Sequence, residues 1–301
     1  MNLSVKITKD FILPNPIMPA SGCFGYGEEA NKLEGMELSR LGAIVSKGTT
    51  LEARQGNPQP RIWETACGMI NCIGLENPGV DVVIKEKIPF MAQFGVPVII
   101  NISEFSVEGF EEMAEKLFDL ETVNALEVNI SCPNVEGGKI PFGIDPKIAE
   151  KVVDKVRCAT DLPLIVKLTP NVTDISEIAK AVEYAGADAI SLINTVKGAF
   201  ILNDKIIQGG LSGPAIKHVA LALVNQVVQN VHIPVIGIGG ISTLEDVFEF
   251  FKVGACAVQV GTASFKNPLV LMDLISQLEQ YFSDNQIEDL SQLQGLKREG
   301  N

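Results

Sequence analysis

The stretch Glu127-Val128-Asn129-Ile130-Ser131-Cys132-Pro133-Asn134 decides how this chain is read. Ala125, Leu126, Val128 and Ile130 make an apolar, β-rich run, and Ser131 to Asn134 break it with a thiol, a proline and an amide. Proline donates nothing to a sheet ladder, so the strand is expected to stop near Ser131. Cys132 then lies just past the carboxyl end of a strand, where α/β sheets and barrels place their chemistry. Taken alone, Cys132 reads first as a buried small hydrophobe, the common state of a free cysteine. Its neighbours decide between the two readings.

Working outward, the same pattern recurs. Apolar runs near residues 17, 44, 98, 126, 164, 190, 235 and 258 read as eight strands. They are continuous rather than alternating, as parallel strands covered on both faces should be. Helical spacing falls between them, at 28–41, 81–94, 107–118, 146–159, 174–185, 214–231, 243–252 and 269–282. Pro89 is expected to break or kink the second of these. Eight alternating units predict an α/β fold, a (β/α)8 TIM barrel, with residues 1–301 forming a single domain. Leu3 to Leu13 reads as a short hairpin. Two polar segments, Thr49 to Asn77 and Val196 to Ser212, read as long functional insertions, and extra loops or short strands are expected at the barrel mouth.

Composition narrows the partners. The chain has 24 Lys and Arg against 37 Asp and Glu, a net charge of -13. With no basic block, a nucleic-acid partner is not expected. Residues 1–10 are polar and of mixed charge, unlike a signal peptide, and no apolar run reaches membrane-spanning length. The six cysteines, Cys23, Cys67, Cys72, Cys132, Cys158 and Cys256, show no C-x-x-C pair or zinc spacing, which reads as reduced thiols in a cytoplasmic protein. Two histidines, His218 and His232, are too few and too isolated for a His-based triad or a multi-His metal site.

A barrel gathers its strand exits on one face. Those exits are Ala20-Ser21-Gly22, Lys47, Asn101, Asn129 with Cys132, Lys167, Asn194-Thr195, Gly239-Gly240 and Gly261-Thr262. A lone glycine exit means only a tight turn. Two adjacent ones after strands seven and eight favour a phosphate cup built from backbone N–H groups. Lys47 and Lys167 are open to three readings: snorkelling rim cations, a Schiff-base lysine, or fixed charge for an electron-rich ring or a carboxylate. The amides Asn71, Asn101, Asn129, Asn134 and Asn194 favour the last, since amides both donate and accept and so match a planar heterocycle. Without a suitable histidine, Cys132 is the candidate general base.

At this point the residues resemble a known family. Met69-Ile70-Asn71-Cys72-Ile73-Gly74-Leu75-Glu76-Asn77-Pro78-Gly79 resembles the substrate loop of class 1 dihydroorotate dehydrogenases, and Asn129 to Val135 resembles their catalytic strand and loop. Leu211 to Ala215, Ile238 to Ile241 and Val260 to Ala263 are similar to their flavin phosphate region. The resemblance covers about residues 13–275. It implies bound FMN in a TIM barrel and oxidation of (S)-dihydroorotate to orotate in pyrimidine biosynthesis, with Cys132 taking the C5 proton and a hydride passing from C6 to flavin N5. Carried over by position, Ser21, Lys47, Gly48, Asn101, Asn129, Lys167, Ile193, Gly213, Gly239, Gly240, Gly261 and Thr262 would hold FMN. Lys47, Asn71, Cys72, Ile73, Gly74, Leu75, Asn129, Asn134, Asn194 and Thr195 would hold dihydroorotate.

Cys132 sets the chain apart from the serine-based, membrane-bound class 2 enzymes. Gly56 to Arg61 and Gly68 to Gly74 resemble the NAD-linked subclass B; the fumarate-reducing subclass A usually has Ser-Met where Cys72-Ile73 stand here. Subclass B implies a homodimeric core within a heterotetramer, with a partner subunit carrying FAD and a [2Fe-2S] cluster that passes electrons to NAD+. None of the six cysteines has cluster spacing. The Val196 to Gly210 segment is several residues shorter than is typical of the family. The rival readings are the fumarate-reducing subclass, a Schiff-base aldolase or isomerase using Lys167, and a flavin-binding subunit without turnover.

Overall fold

The computed structural model describes residues 1–131 and 142–293; Cys132 and Asn134 lie outside the described residues. Strands β1 (Val5–Lys6) and β2 (Ile12–Leu13) form the expected N-terminal hairpin. The remaining strands, in chain order, are β3 (Ile17–Pro19), β4 (Ile44–Val45), β5 (Ile62–Thr65), β6 (Gly68–Asn71), β7 (Val98–Ile102), β8 (Ala125–Asn129), β9 (Leu164–Leu168), β10 (Ala189–Leu192), β11 (Val196–Leu202), β12 (Lys205–Ser212), β13 (Val235–Ile238) and β14 (Ala257–Val260).

Eight of these form one parallel sheet in the order β3-β14-β13-β10-β9-β8-β7-β4. They are the eight runs that the sequence marks out. The two ends of the sheet meet where the Gly42 N–H donates to the Ile17 carbonyl at 2.9 Å, so the sheet is a nearly closed barrel. Helices cover its outside because their apolar residues recur at helical spacing. In the helix Val107–Phe118, Phe110, Met113, Ala114 and Leu117 are buried, and the Ser106 side chain caps the first turn by accepting from the Gly109 N–H. Asp145 and Pro146 start the helix Pro146–Ala159 in the same way, as an N-cap followed by a proline at the first position. Each buried large apolar side chain contributes about 1.5–3 kcal/mol.

Two expectations need correction. Residues 28–41 form no continuous helix; they hold two single 3-10 turns, Ala30–Lys32 and Leu38–Arg40. Gly35 between them has a φ of 86°, which interrupts a right-handed helix. The segment around Pro89 does run helical from Val80 to Ala92, but its Val83–Lys87 portion is a π-helix. Proline lacks the N–H for a normal turn, and the widened turn just before it absorbs that loss. The mouth does carry short strands: β5 and β6 within Thr49 to Asn77, and β11 and β12 over nearly all of Val196 to Ser212. β11, β12, β6 and β5 make a four-stranded antiparallel sheet, in that order, over the carboxyl ends of the barrel strands. Trp63 and Phe200 stack across it, ring centroids 4.8 Å apart.

Candidate active site

A cavity of about 1490 Å³ opens at the carboxyl ends of the barrel strands, roofed by the antiparallel sheet. All the described residues that the sequence reading assigned to cofactor or substrate line it. From the strand ends come Ser21, Lys47, Gly48, Asn101, Asn129, Lys167, Ile193, Asn194 and Thr195. The end of β6 adds Asn71 and the loop after it Cys72, Ile73, Gly74 and Leu75, and the far side is built by Gly213, Gly239, Gly240, Gly261 and Thr262.

Strand register explains the floor. Asn101 on β7 lies beside Glu127 on β8, and Asn129 on β8 lies beside Lys167 on β9. Inward residues of neighbouring strands therefore converge at one level. Lys167 is 5% exposed; its ammonium donates to Ser21 Oγ at 3.1 Å and lies 4.0 Å from Glu127 Oε2. An ammonium held by a hydroxyl and facing a carboxylate is fixed positive charge, which speaks against the Schiff-base reading.

The amides are oriented by their partners. Asn129 Oδ1 accepts from both the Ser131 N–H (3.3 Å) and the Ser131 hydroxyl (2.5 Å), which leaves its NH2 as a donor. Asn194 donates through Nδ2 to Ser131 Oγ at 2.6 Å, and its Oδ1 accepts from the Thr195 N–H at 2.8 Å. Ser131 thus ties two of the expected ligand amides together, a role the sequence reading missed. Asn71 Nδ2 reaches the Gly210 carbonyl at 3.4 Å, tying the end of β6 to β12 within the roof.

Glu76 was also missed. It accepts from Arg61 Nη2 at 2.6 Å and lies 3.6 Å from Lys47 Nζ. The Arg61 bond, then the Lys47 charge, hold its carboxyl below the usual carboxylate range. Asn57 fixes the same loop, donating through its side chain to the Cys72 carbonyl (2.7 Å) and through its N–H to the Ile73 carbonyl (2.8 Å). Cys23, also in the cavity wall, is pushed up to about 11 by burial, against the opposing pull of Lys167. It is a neutral thiol at physiological pH and a poor base there.

The glycine side fits a phosphate. Gly213, Gly239 and Gly240 have φ of 88°, 131° and 71°. A Cβ on Gly240 would lie 2.8 Å from Lys217 Cβ and 2.9 Å from the Gly213 carbonyl oxygen, so only glycine keeps this turn open. Among the described residues, the N–H groups of Gly240, Ile241, Thr262 and Ala263 meet no protein acceptor. Grouped donors at a helix start form an anion cup. Asp246 pins the cup: its Oδ2 accepts from the Ser242 N–H (2.8 Å), the Ser242 hydroxyl (3.1 Å) and the Thr243 N–H (2.8 Å), while Oδ1 takes Lys217 Nζ at 2.8 Å. Burial pushes the Asp246 carboxyl up, but the bonds from Lys217, Ser242 and Thr243 outweigh it and hold it below the usual range.

Among the described residues, no helix is long and apolar enough to cross a membrane. Residues 2–282 match the family model described as dihydroorotate dehydrogenase. The chain is 49% identical over 308 residues to the protein named "Dihydroorotate dehydrogenase B (NAD(+)), catalytic subunit" of Oceanobacillus iheyensis, covering 98% of this chain and 99% of that one. It is 50% identical to the protein of the same name in Geotalea uraniireducens, covering 98% and 97%. A crystal structure of DHODH from Eimeria tenella in complex with ferulenol superposes with a TM-score of 0.82 at 21% identity, over 99% of this chain and 89% of that one, which shows the shared fold.

Proposed function

The chain belongs to the dihydroorotate dehydrogenase family, and on that premise we propose that it oxidises (S)-dihydroorotate to orotate as the FMN-bearing catalytic subunit of an NAD-linked enzyme. The observation that carries the reading is the floor of the cavity, where a buried Lys167 and the oriented amides Asn129 and Asn194 converge opposite a glycine-built anion cup. That arrangement suits a long planar ligand with a phosphate at one end.

FMN supplies the hydride acceptor for the hydrogen leaving C6 of the substrate. The remaining work falls to the chain. The cup of Gly213, Gly239, Gly240, Gly261 and Thr262 takes the phosphate. Ser21, Gly48, Asn101 and Ile193 complete the cofactor's bed, and Lys167 places positive charge where the ring gains electrons. Lys47 and Asn71 with Cys72, Ile73, Gly74 and Leu75 take the substrate. Asn129, Asn134, Asn194 and Thr195 orient it, and Cys132 removes the C5 proton. Loss of that proton and of the C6 hydride leaves the C5=C6 double bond of orotate. The antiparallel roof and the loop 72–76 cover the cavity on the side where the substrate would enter.

The protein acts in the cytoplasm as a single barrel domain, in a homodimeric core that joins an electron-transfer subunit bearing FAD and a [2Fe-2S] cluster. The test is the visible spectrum of the purified chain, followed by anaerobic dihydroorotate. A flavin spectrum that bleaches supports the reading. A colourless protein that neither takes up FMN nor responds to dihydroorotate sinks it.

A further inference from the structure

Glu127 sits on β8 inside the barrel, 0% exposed, and neither the cofactor nor the substrate assignment uses it. Barrel interiors are ordinarily filled with branched apolar side chains. A buried carboxylate is costly unless paired and hydrogen-bonded, and well-packed apolar residues often serve stability as well or better. Here the carboxylate is fully served. Its Oε1 accepts from Ser191 Oγ (2.9 Å) and Gln259 Nε2 (2.7 Å), and its Oε2 accepts from Asn101 Nδ2 (2.6 Å) and faces Lys167 Nζ at 4.0 Å. The arrangement even leaves the buried Gln259 Oε1 without a partner among the described residues. Stability alone does not account for such a layer.

Two of its members belong to the site above. A carboxylate only accepts, so Asn101 must turn its NH2 toward Glu127. Its Oδ1 is thereby set on the side of Gly48 and Ser103; the Ser103 hydroxyl lies 3.4 Å away. Lys167, with its counter-charge behind it, is held on Ser21.

We propose that Glu127 is a positioning residue for the flavin: it fixes Asn101 as an acceptor and Lys167 as a paired cation, and its negative charge lowers the reduction potential of the bound cofactor. This rests on the flavin reading above. The side chain itself does not touch the ligand.

The experiment is a reduction-potential titration of the FMN-loaded protein and two variants, with thermal unfolding recorded alongside. Glu127→Gln keeps the shape and removes the charge. Its flavin potential should rise enough to change the oxidised-to-reduced ratio at fixed potential at least tenfold, about 30 mV for a two-electron couple. Adding Asn101→Asp to that variant exchanges the two groups: the amide now stands on β8 as the donor, the carboxylate stands on β7 as the acceptor, and the charge returns. This double variant should move the potential back toward the parent value. An unmoved potential in Glu127→Gln, with only a lower Tm, overturns the proposal, as does a double variant no closer to the parent than the single one. If Glu127→Gln does not accumulate, a folded double variant with a parent-like potential supports the pairing, and a displaced potential overturns it. A parent protein that binds no FMN defeats the flavin reading instead, and is seen before any variant is made.

Discussion

At the scale of the residue, the assignments depend on which atoms are already engaged. Asn129 has both lone-pair directions of its oxygen taken by Ser131, so it offers hydrogen to a ligand. Burial raises Cys23 out of the useful range, so this wall thiol is not a rival to Cys132 as the proposed base. Cys132→Ala should lower turnover with dihydroorotate at least about 100-fold, the ordinary scale for a lost acid–base group, while the flavin spectrum persists. A variant with full turnover at neutral pH would remove the assignment. Gly240→Ala tests the other end of the cavity. The added methyl would meet Lys217 Cβ and the Gly213 carbonyl, at a backbone φ of 71°. Strain of this kind is worth about 1–3 kcal/mol, so FMN affinity should fall roughly tenfold or more. Fluorescence titration of the apoprotein reads it directly; unchanged affinity would mean that the turn lies away from the cofactor.

Whole elements fix the cup as much as single residues do. The helix Leu244–Lys252 begins with a capping box, in which Thr243 Oγ1 accepts from the Asp246 N–H and Asp246 Oδ2 accepts from the Thr243 N–H. The same carboxylate holds Ser242, so helix start and phosphate turn are one unit. Asp246→Asn should cost about 1 kcal/mol of stability, as losing a cap does, and should weaken FMN more than riboflavin, which lacks the phosphate. Equal weakening of both would mean a purely structural cap. The pH sign follows from the depressed carboxyl: its stabilisation is complete above the ordinary carboxylate value of 3.8 and is lost as pH falls through the lower native one. The acid limb of the parent's unfolding curve should therefore be steeper than the variant's. Elements also mark where sequence reading succeeds. The eight barrel strands were legible because burial on both faces writes unbroken apolar runs. The roof was legible only as short strands somewhere at the mouth: β11 and β12 carry Lys197, Gly198, Gln208, Gly209 and Gly210, a mixture that hides their bounds, and their pairing with β6 depends on contacts far along the chain. Residues 28–41 misled for the opposite reason, since their helical spacing is real but Gly35 breaks the backbone.

At the scale of the molecule, electrons that enter at the barrel mouth must also leave. The strand exits made the ligand residues legible because a barrel brings eight distant positions to one face. The roles of Glu76, Glu127, Ser131 and Asp246 were not legible, although three of them lie in the quoted stretches, because each acts through a second residue. The route out of the chain is equally hidden in its sequence: six scattered cysteines provide no cluster spacing. The relatives' printed name ends in "catalytic subunit", so on the reading proposed above the second half of the reaction is expected to need groups from outside this chain. The chain purified alone should be bleached by anaerobic dihydroorotate and stay bleached when NAD+ is added. Restoring the flavin absorbance with NAD+ should require a co-purifying subunit, and iron with acid-labile sulfide should appear only with that subunit. Prompt reoxidation of the isolated chain by NAD+ would place the whole route within this barrel, and prompt reoxidation by fumarate would move the protein to the fumarate-reducing subclass. The half-reaction and the acceptor are thus separated in one cuvette, because the first depends on residues gathered by the barrel and the second, on the proposed reading, on a partner subunit.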